Sequence, residues 1–423
     1  MIKLFKSMKL NKKINNIIFL LCGLIFHAQS TKELSQEQKD YITKFIYPLQ
    51  SFDPNFTDNS DLKILDKLIG NAKIVGLGES THGSSEIYKM KNRISRYLIS
   101  NSDFNIFSLE ANMPESFRMN NYITEKKDNP KDLLEGMYFW LWQTKETLDF
   151  IDWLKNYNDA YNSRIIFDGF DMQFASGALN QIRDIYTQNN INVDEINELE
   201  KILKDENRGQ RSYTAKSQKT IGNLLVKMKQ KNVSFKSPED KARYLQNIRI
   251  IEQKIQINSI VKRDQFMAEN INWIMENNKN PKLILSAHNY HISKLNSERM
   301  GYYVNEEFKN DYVNFGFAFY EGTYSASVDR KIGTFEAETA PPESLEYYLN
   351  YLNKPIFIID LKSIKKENNP LAKWILKDIL FRKTGSGTDK NKKSFKSTNV
   401  SNSFDYLIFI NESSNSNLLK QYN

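Results

Sequence analysis

The chain is poor in several residues and signatures on which large classes of protein depend. It has one cysteine in 423 residues, Cys22, which leaves no disulfide framework and no cysteine pair for zinc. It lacks the Gly-x-Ser-x-Gly elbow of many esterases and the His-Glu-x-x-His helix of zinc proteases. Its apolar runs are too short to cross a bilayer comfortably. Hydrophobic residues still make up 40% of the chain and aromatic residues 13%, so we expect a sizeable buried core.

Histidine is also scarce, with 4 residues in the whole chain. One of them, His27, lies near the N-terminus. The other three fall in two short motifs, because residues 78–83 contain His82 and residues 287–291 contain His288 and His291. Histidine is the side chain best suited to moving protons near neutral pH. This concentration at two places predicts a hydrolytic site or a metal site.

The first 28 residues have the pattern of an export signal. Five lysines and no acidic residue stand in this segment, an apolar run occupies residues 17–26, and Ala28 offers a cleavage point. We therefore predict a signal peptide at 1–28, export to the periplasm, and membrane contact through this segment alone. A short retained membrane anchor is the alternative, because Phe26 is a poor residue three positions before the cut. Cleavage would leave the mature chain without cysteine.

The formal charge of +8 does not indicate a nucleic-acid partner. Removing the five lysines of the leader leaves a balance of +3. A second basic patch, at 382–396, is rich in serine, threonine, glycine and asparagine, which is typical of a mobile loop. The usual nucleic-acid-binding motifs are missing. We expect a small-molecule substrate and no nucleic-acid partner.

Short apolar runs alternate with segments of helical periodicity, which favours an α/β fold. Strands are predicted at residues 73–77, 105–109, 164–167, 282–286, 313–319, 355–359 and 406–410. This alternation predicts three layers, with a mainly parallel central sheet flanked by helices. The polar segment from 176 to 280 has intermittent helical periodicity and predicts a helical insertion or cap. It divides the core into a first part at 29–175 and a second part at 281–423.

Polar and ionisable residues follow four of these strands. They are Glu79 and His82, Glu110, Asp168 and Asp171, and His288 and His291. Functional groups of parallel sheets gather beyond the carboxyl ends of the strands. We therefore expect these side chains to share one site, whichever chemistry they perform.

Glu79 and His82 suit the activation of water. A neutral imidazole can remove a proton from water, and a carboxylate can fix its tautomer and stabilise the imidazolium that forms. Glu110 arrives from another strand and could share that role. His288 could act as a second base, an acid or a donor to an oxyanion.

Two cations on the following helix, Lys91 and Arg93, could approach a carboxylate or a developing oxyanion, but they cannot both point the same way. Ser80 lies inside the first motif and is an alternative nucleophile, although it lacks the sequence context of an esterase elbow. Glu-x-x-His and His-x-x-His spacings can also supply metal ligands. The residues alone therefore leave direct water activation, a serine nucleophile and a metal centre open.

The motifs together resemble the signature of the erythromycin esterase family. The matching pieces follow in family order across about residues 60–320. They are residues 74–83 with Glu86, Lys91 and Arg93, residues 109–111, residues 142–144, residues 169–173 and residues 287–291. Lys91 stands where some macrolide-hydrolysing members carry arginine, and an export signal is a further departure from the family pattern.

This resemblance implies a hydrolase that opens macrolide lactone rings, and thereby confers macrolide resistance, without a metal or other cofactor. It implies that His82 is the general base and that Glu79, Glu110 and His288 are also catalytic. We expect substrate contacts from a further set: Lys91, Arg93, His291, Asp171, Gln173 and Trp142. Aromatic residues such as Trp140, Trp142 and Phe174 could line an apolar cleft, but each is more readily explained as a core residue. A metal-dependent hydrolase of another ester and an exported ligand-binding homologue without turnover are the alternatives.

Overall fold

The computed structural model describes residues 33–125, 128–206, 213–329, 331–388 and 394–420. The predicted signal peptide at 1–28 lies outside these ranges. Within them, no helix combines the length and the apolar character needed to span a membrane.

In the described residues, nine strands form one sheet and two further strands pair separately. The strands are β1 (Ile46–Pro48), β2 (Ile74–Leu77), β3 (Ile106–Asn112), β4 (Ile166–Asp171), β5 (Leu283–Ser286), β6 (Tyr312–Val328), β7 (Lys331–Glu336), β8 (Ile356–Asp360), β9 (Ile379–Arg382), β10 (Phe395–Thr398) and β11 (Tyr406–Ser413). The sheet order is β1-β8-β11-β6-β2-β5-β3-β4, with β7 beside β6, and β9 pairs with β10. All neighbours from β11 to β4 are parallel, whereas β1, β7 and β8 pair antiparallel. The predicted mainly parallel sheet is confirmed.

The helices account for most of the remaining chain. They are α1 (Gln36–Thr43), α2 (Ile64–Ile69), α3 (Ser85–Asn101), α4 (Met113–Glu125), α5 (Pro130–Gly136), α6 (Lys145–Tyr161), α7 (Ser176–Gln188), α8 (Asp194–Glu206), α9 (Ala215–Lys229), α10 (Pro238–Gln256), α11 (Ile260–Glu276), α12 (Asn289–Ile292), α13 (Met300–Phe308), α14 (Leu345–Asn350), α15 (Leu361–Glu367), α16 (Lys373–Leu376) and α17 (Val400–Ser403). Short 3₁₀ helices lie at Ser60–Lys63, Trp140–Trp142, Lys309–Asp311 and Pro370–Ala372. Four long helices, α3, α6, α10 and α11, begin after a serine or threonine whose side chain accepts an N–H of the first turn.

Two hydrophobic clusters cover the two faces of the sheet. Successive strand residues point to opposite faces, and in β5 Leu283 and Leu285 belong to one cluster while Ile284 belongs to the other. The same alternation holds in β11, where Leu407 belongs to the first cluster and Ile408 to the second. Burial of both faces explains why the strands read as continuous apolar runs. The three-layer prediction is confirmed.

Residues 176–206 and 213–280 contribute helices α7 to α11, while the division of the chain into a core and an insertion or cap stays a prediction. The buried residues Ile248, Ile251 and Ile271 belong to the same cluster as Leu283 of the sheet. These helices therefore form part of one flanking layer, and α11 packs against β4. This packing brings the first turn of α11 close to the residues that follow the central strands.

Strands lie at both ends of the basic patch at 382–396, and the predicted mobility of the residues between them stays a prediction. Arg382 and Phe395 are the first pair of the β9–β10 ladder. The Arg382 guanidinium is buried, donates to the carbonyl oxygens of Phe319 and Tyr320, and lies over the rings of Phe319 and Phe395. Cation–π contacts and backbone acceptors stabilise a conformation that composition alone does not reveal.

Candidate active site

The strand order brings the predicted site residues together. Strands β2, β5, β3 and β4 are consecutive neighbours in the sheet, and they are the strands that carry the polar motifs. A cavity of about 720 Å³ lies beyond this edge. Its lining comprises His82, Glu110, Phe139, Leu141, Trp142, Gln173, Ile260, Arg263, His288, Tyr290, His291, Gly385, Ser386 and Lys396.

Glu79 and His82 form a hydrogen-bonded pair at the end of β2. Glu79 is fully buried, and its Oε1 lies 2.6 Å from Nδ1 of His82, while its Oε2 lies 2.5 Å from Nζ of Lys91. The Tyr88 hydroxyl also donates to Oε1, at 3.2 Å. Burial would raise the pKa of Glu79, but Lys91 and His82 outweigh it and hold that pKa at about 2. The ionised carboxylate accepts a hydrogen bond from Nδ1–H, so Nε2 is the nitrogen of His82 that can accept a proton.

His288 has its tautomer set by the backbone. Its Nδ1 accepts the N–H of Tyr290 at 3.1 Å, so the ring proton lies on Nε2, which is 3.3 Å from the carbonyl oxygen of Thr384. Burial, followed by the charge of His82, lowers the pKa of His288 to about 3. The ring centroids of His82 and His288 are 5.1 Å apart. His288 is therefore a neutral donor beside the proposed base.

His291 is held between two carboxylates. Its Nδ1 lies 3.0 Å from both oxygens of Asp264, and its Nε2 lies 3.1 Å from Oε1 of Glu110. Burial opposes its charge, but Glu110 and Asp264 prevail and raise the pKa of His291 to about 9. In the same way, His291 and Arg263 overcome burial and hold the pKa of Glu110 well below its ordinary value. Glu110 also accepts the backbone N–H of His288 at 3.0 Å.

Arg263, from the first turn of α11, completes this cluster. Its Nη2 donates to Oε1 of Glu110 and to Oδ2 of Asp171, each at 2.8 Å, and its Nε donates to Oδ1 of Asp171 at 3.1 Å. Gln173 also donates to Asp171, at 2.6 Å. Sequence reasoning missed Arg263, because the surrounding polar segment gives no strand-end signal. Asp171 therefore orients Arg263 and Gln173 instead of lining the cavity itself.

The structure does not bring Arg93 to the cavity, contrary to the expected substrate contact. Its two Nη atoms bind Asp61 at 2.7 and 2.8 Å and the carbonyl oxygens of Ser51 and Asp58. Lys91 is buried behind Glu79 and is likewise absent from the cavity lining. The two side chains diverge because residues two apart on a helix face different directions.

Other predicted positions divide between the cavity and the interior. Trp142 and Gln173 line the cavity, although Trp142 is only 1% exposed. Ser80 is fully buried and its hydroxyl does not line the cavity. Glu86 of the family motif accepts hydrogen bonds from the backbone N–H and the hydroxyl of Ser414, so it fastens α3 to the C-terminal segment.

Asp168 was expected at a strand end, but β4 continues to Asp171, which places Asp168 inside the strand. It lines a separate cavity of about 600 Å³ with Asn105, Arg164 and Arg243, near the beginning of β3 and β4. Burial raises the pKa of Asp168 to about 7.

Among the described residues, no group of three or more histidine, cysteine, aspartate or glutamate side chains is arranged to hold a metal ion. Three ring nitrogens face carboxylates, namely Nδ1 of His82, which faces Glu79, and both nitrogens of His291.

The fold places this histidine–carboxylate cluster at the carboxyl edge of a mainly parallel sheet, which makes it a candidate site for hydrolysis. The chain belongs to the erythromycin esterase family, whose model, described as Erythromycin esterase, matches residues 99–413. That match begins after Glu79 and His82, and it includes Glu110, Arg263, His288 and His291.

Two curated proteins are similar over most of the chain. A putative hydrolase, YbfO, from Bacillus subtilis (strain 168) is 23% identical over 402 residues, covering 82% of this chain and 87% of that protein. Erythromycin esterase type II from Escherichia coli is 22% identical over 382 residues, covering 76% and 88%.

Two solved structures share the fold. A protein from Bacillus cereus superposes with a TM-score of 0.79 at 26% identity, covering 91% of this chain and 99% of that one. A mutant of the erythromycin esterase EreC in its open conformation superposes with a TM-score of 0.65 at 18% identity, covering 87% and 98%.

Proposed function

We propose that this hydrolase cleaves a carboxylic ester by direct attack of water, with His82 as the general base. The observation that carries the proposal is the Glu79–His82 pair, in which His82 lines the cavity and its Nδ1 faces the buried Glu79 carboxylate at 2.6 Å. Because Nδ1 holds its proton against a carboxylate, Nε2 takes the proton of the attacking water. Glu79 stabilises the resulting imidazolium, and the proton then passes to the leaving alkoxide as the acyl–oxygen bond breaks.

We propose a macrolide lactone as the substrate, with antibiotic resistance as the biological result. The cavity of about 720 Å³ is in the range of pockets that enclose drug-sized molecules. Apolar side chains also line it, namely Phe139, Leu141, Trp142 and Ile260, which suits a bulky, largely apolar ring. The similarity to erythromycin esterase type II supports this substrate class. Export through the leader at 1–28 would place the activity in the periplasm, which cell fractionation tests directly.

The test uses the purified chain with macrolides of different ring size, simple lactones and aryl esters, each with and without chelator. Mass spectrometry follows the addition of one water to the substrate. We expect a macrolide to be opened and the chelator to have no effect. Loss of activity with chelator would favour a metal-dependent hydrolase, and tight binding without product would favour a binding homologue.

Two variants test the mechanism. His82→Asn should lower kcat by about 10²–10⁴, the usual contribution of a general base. Glu79→Gln should also lower kcat, because the amide cannot stabilise an imidazolium. Glu86→Gln is the matched control, since Glu86 is a buried glutamate seven residues away that binds Ser414 instead of a histidine. Near-full hydrolysis by His82→Asn would exclude the mechanism.

A further inference from the structure

Arg263 has two N–H groups that no carboxylate occupies. A guanidinium carries five N–H donors in a fixed fork. Nε and both hydrogens of Nη2 are used, because they reach Asp171 at 3.1 and 2.8 Å and Glu110 at 2.8 Å. The two hydrogens of Nη1 remain.

The ring nitrogen of His291 that contacts Nη1 does not act as an acceptor when the ring carries both of its protons. Nη1 of Arg263 lies 3.2 Å from Nε2 of His291, but Nε2 itself lies 3.1 Å from Oε1 of Glu110. The other ring nitrogen, Nδ1, lies 3.0 Å from Asp264. Since both nitrogens face carboxylates, both carry hydrogens, and His291 offers no lone pair to Arg263.

The guanidinium is rigid and reachable from the cavity. Its side chain is 12% exposed and lines the same cavity as His82 and His288. Three carboxylates, from Glu110, Asp171 and Asp264, surround the adjacent cations Arg263 and His291. Fixed donors in a largely buried site need no reorganisation when negative charge develops near them.

Neither cation that the sequence suggested for the oxyanion reaches the cavity, since Lys91 binds Glu79 and Arg93 binds Asp61. We propose that Nη1 of Arg263 donates to the carbonyl oxygen of the scissile ester and stabilises the oxyanion. This inference rests on the proposed ester hydrolysis. When water adds to the carbonyl carbon, the C=O π electrons move to that oxygen, and Arg263 binds the anion without giving up a proton. Asp171 and His291 act as positioning residues.

The kinetic test compares Arg263→Lys with Arg93→Lys. Both arginines pair with aspartate, but Arg93 is buried outside the cavity whereas Arg263 is partly exposed at its lining. Arg263→Lys keeps the charge but loses the forked set of N–H donors. We expect kcat to fall by about 10²–10³, the usual effect of removing one oxyanion donor, and KM to change little. Arg93→Lys should retain kcat. Arg263→Ala should regain part of its activity when guanidinium is added. An unchanged kcat in Arg263→Lys, or a loss confined to KM, would overturn the assignment.

A binding test separates this inference from the proposed function. Methyl phenylphosphonate is a tetrahedral anion that resembles the intermediate of ester hydrolysis, and calorimetry measures its affinity without turnover. We expect Arg263→Lys to bind it roughly tenfold to a hundredfold more weakly than the unmodified chain, as loss of a charge-assisted hydrogen bond predicts. If no ester is hydrolysed but this difference appears, the proposed function fails and the anion site stands. Equal binding by both proteins, or binding by neither, would overturn the role of Arg263.

Discussion

Replacement of His291 by asparagine should change the pH dependence of stability in a defined direction. Glu110 and Asp264 raise the pKa of His291 from 6.5 to about 9. At 1.36 kcal/mol for each pKa unit, the carboxylates favour the charged ring by about 3 kcal/mol. The folded state therefore holds a proton that the unfolded chain has lost between these two pH values. This contribution is complete below pH 6.5 and disappears as the pH rises through 9.

The measurement is urea unfolding of the unmodified chain and of His291→Asn between pH 6 and pH 9.5. At pH 6 the variant should be less stable by about 3 kcal/mol plus any change in packing, because Glu110 and Asp264 lose a cation. The difference should shrink steadily above pH 6.5. Taking the difference between the two proteins removes the titration of other groups, which both share.

His288→Asn provides the matched control. Burial lowers the pKa of His288 to about 3, so above pH 7 this ring is neutral in both the folded and the unfolded chain. Its contribution to stability should therefore be flat between pH 7 and pH 9.5. If the curves of His291→Asn and the unmodified chain run parallel over this range, His291 is not the charged residue that the geometry requires.

Three further predictions concern residues around the site. Burial raises the pKa of Asp168 from 3.8 to about 7. The buried charge therefore destabilises the folded state fully above pH 7 and not at all below pH 3.8. In urea unfolding, Asp168→Asn should increase the free energy of unfolding by up to about 4 kcal/mol at pH 8 and by little at pH 4. A Cβ at Gly78 would lie 2.1 Å from Oδ1 of Asn289. Gly78→Ala should therefore lower the free energy of unfolding by about 1–3 kcal/mol, and it should reduce hydrolysis because it shifts the neighbouring histidine motif. Unchanged thermal unfolding would contradict this prediction. In Arg93→Ala, the Asp61 side chain, which is 3% exposed, stays buried without its cation. The variant should lose about 3–5 kcal/mol of the free energy of unfolding in urea, while kcat per folded molecule stays unchanged. A specific loss of kcat would indicate that Arg93 contributes to the active site.

The sequence predicted the sheet because its strands are apolar on both faces. Runs such as residues 282–286 are short, continuous and buried in two clusters, so they differ clearly from the amphipathic helices. The rule that functional groups lie beyond the strand ends then placed Glu79, His82, Glu110 and His288 at one edge. It failed for Asp168, because β4 continues four residues beyond the predicted apolar run, which ends at residue 167.

Arg263 shows what sequence patterns cannot supply. It lies 153 positions from Glu110 and 92 from Asp171, and it belongs to a helix whose packing on β4 depends on the whole flanking layer. No periodic pattern in the sequence marks an arginine whose side chain will lie among carboxylates. The sequence determines the side-chain directions of Lys91 and Arg93 only in part. Helical geometry indicates that the two side chains diverge, but it does not indicate which of them binds Glu79.

Two contacts with the C-terminal part of the chain affect when the site can form during protein synthesis. The carbonyl oxygen of Thr384 lies beside the His288 ring, and Glu86 accepts the backbone N–H of Ser414. The chain is made from its N-terminus, so Glu79 and His82 leave the ribosome long before the segments that hold their surroundings in place. A nascent chain that ends before residue 384 has neither the acceptor for the His288 ring nor the anchor for α3. Hydrolytic activity should therefore begin late, when nearly the whole chain is available, and incomplete chains should be inactive.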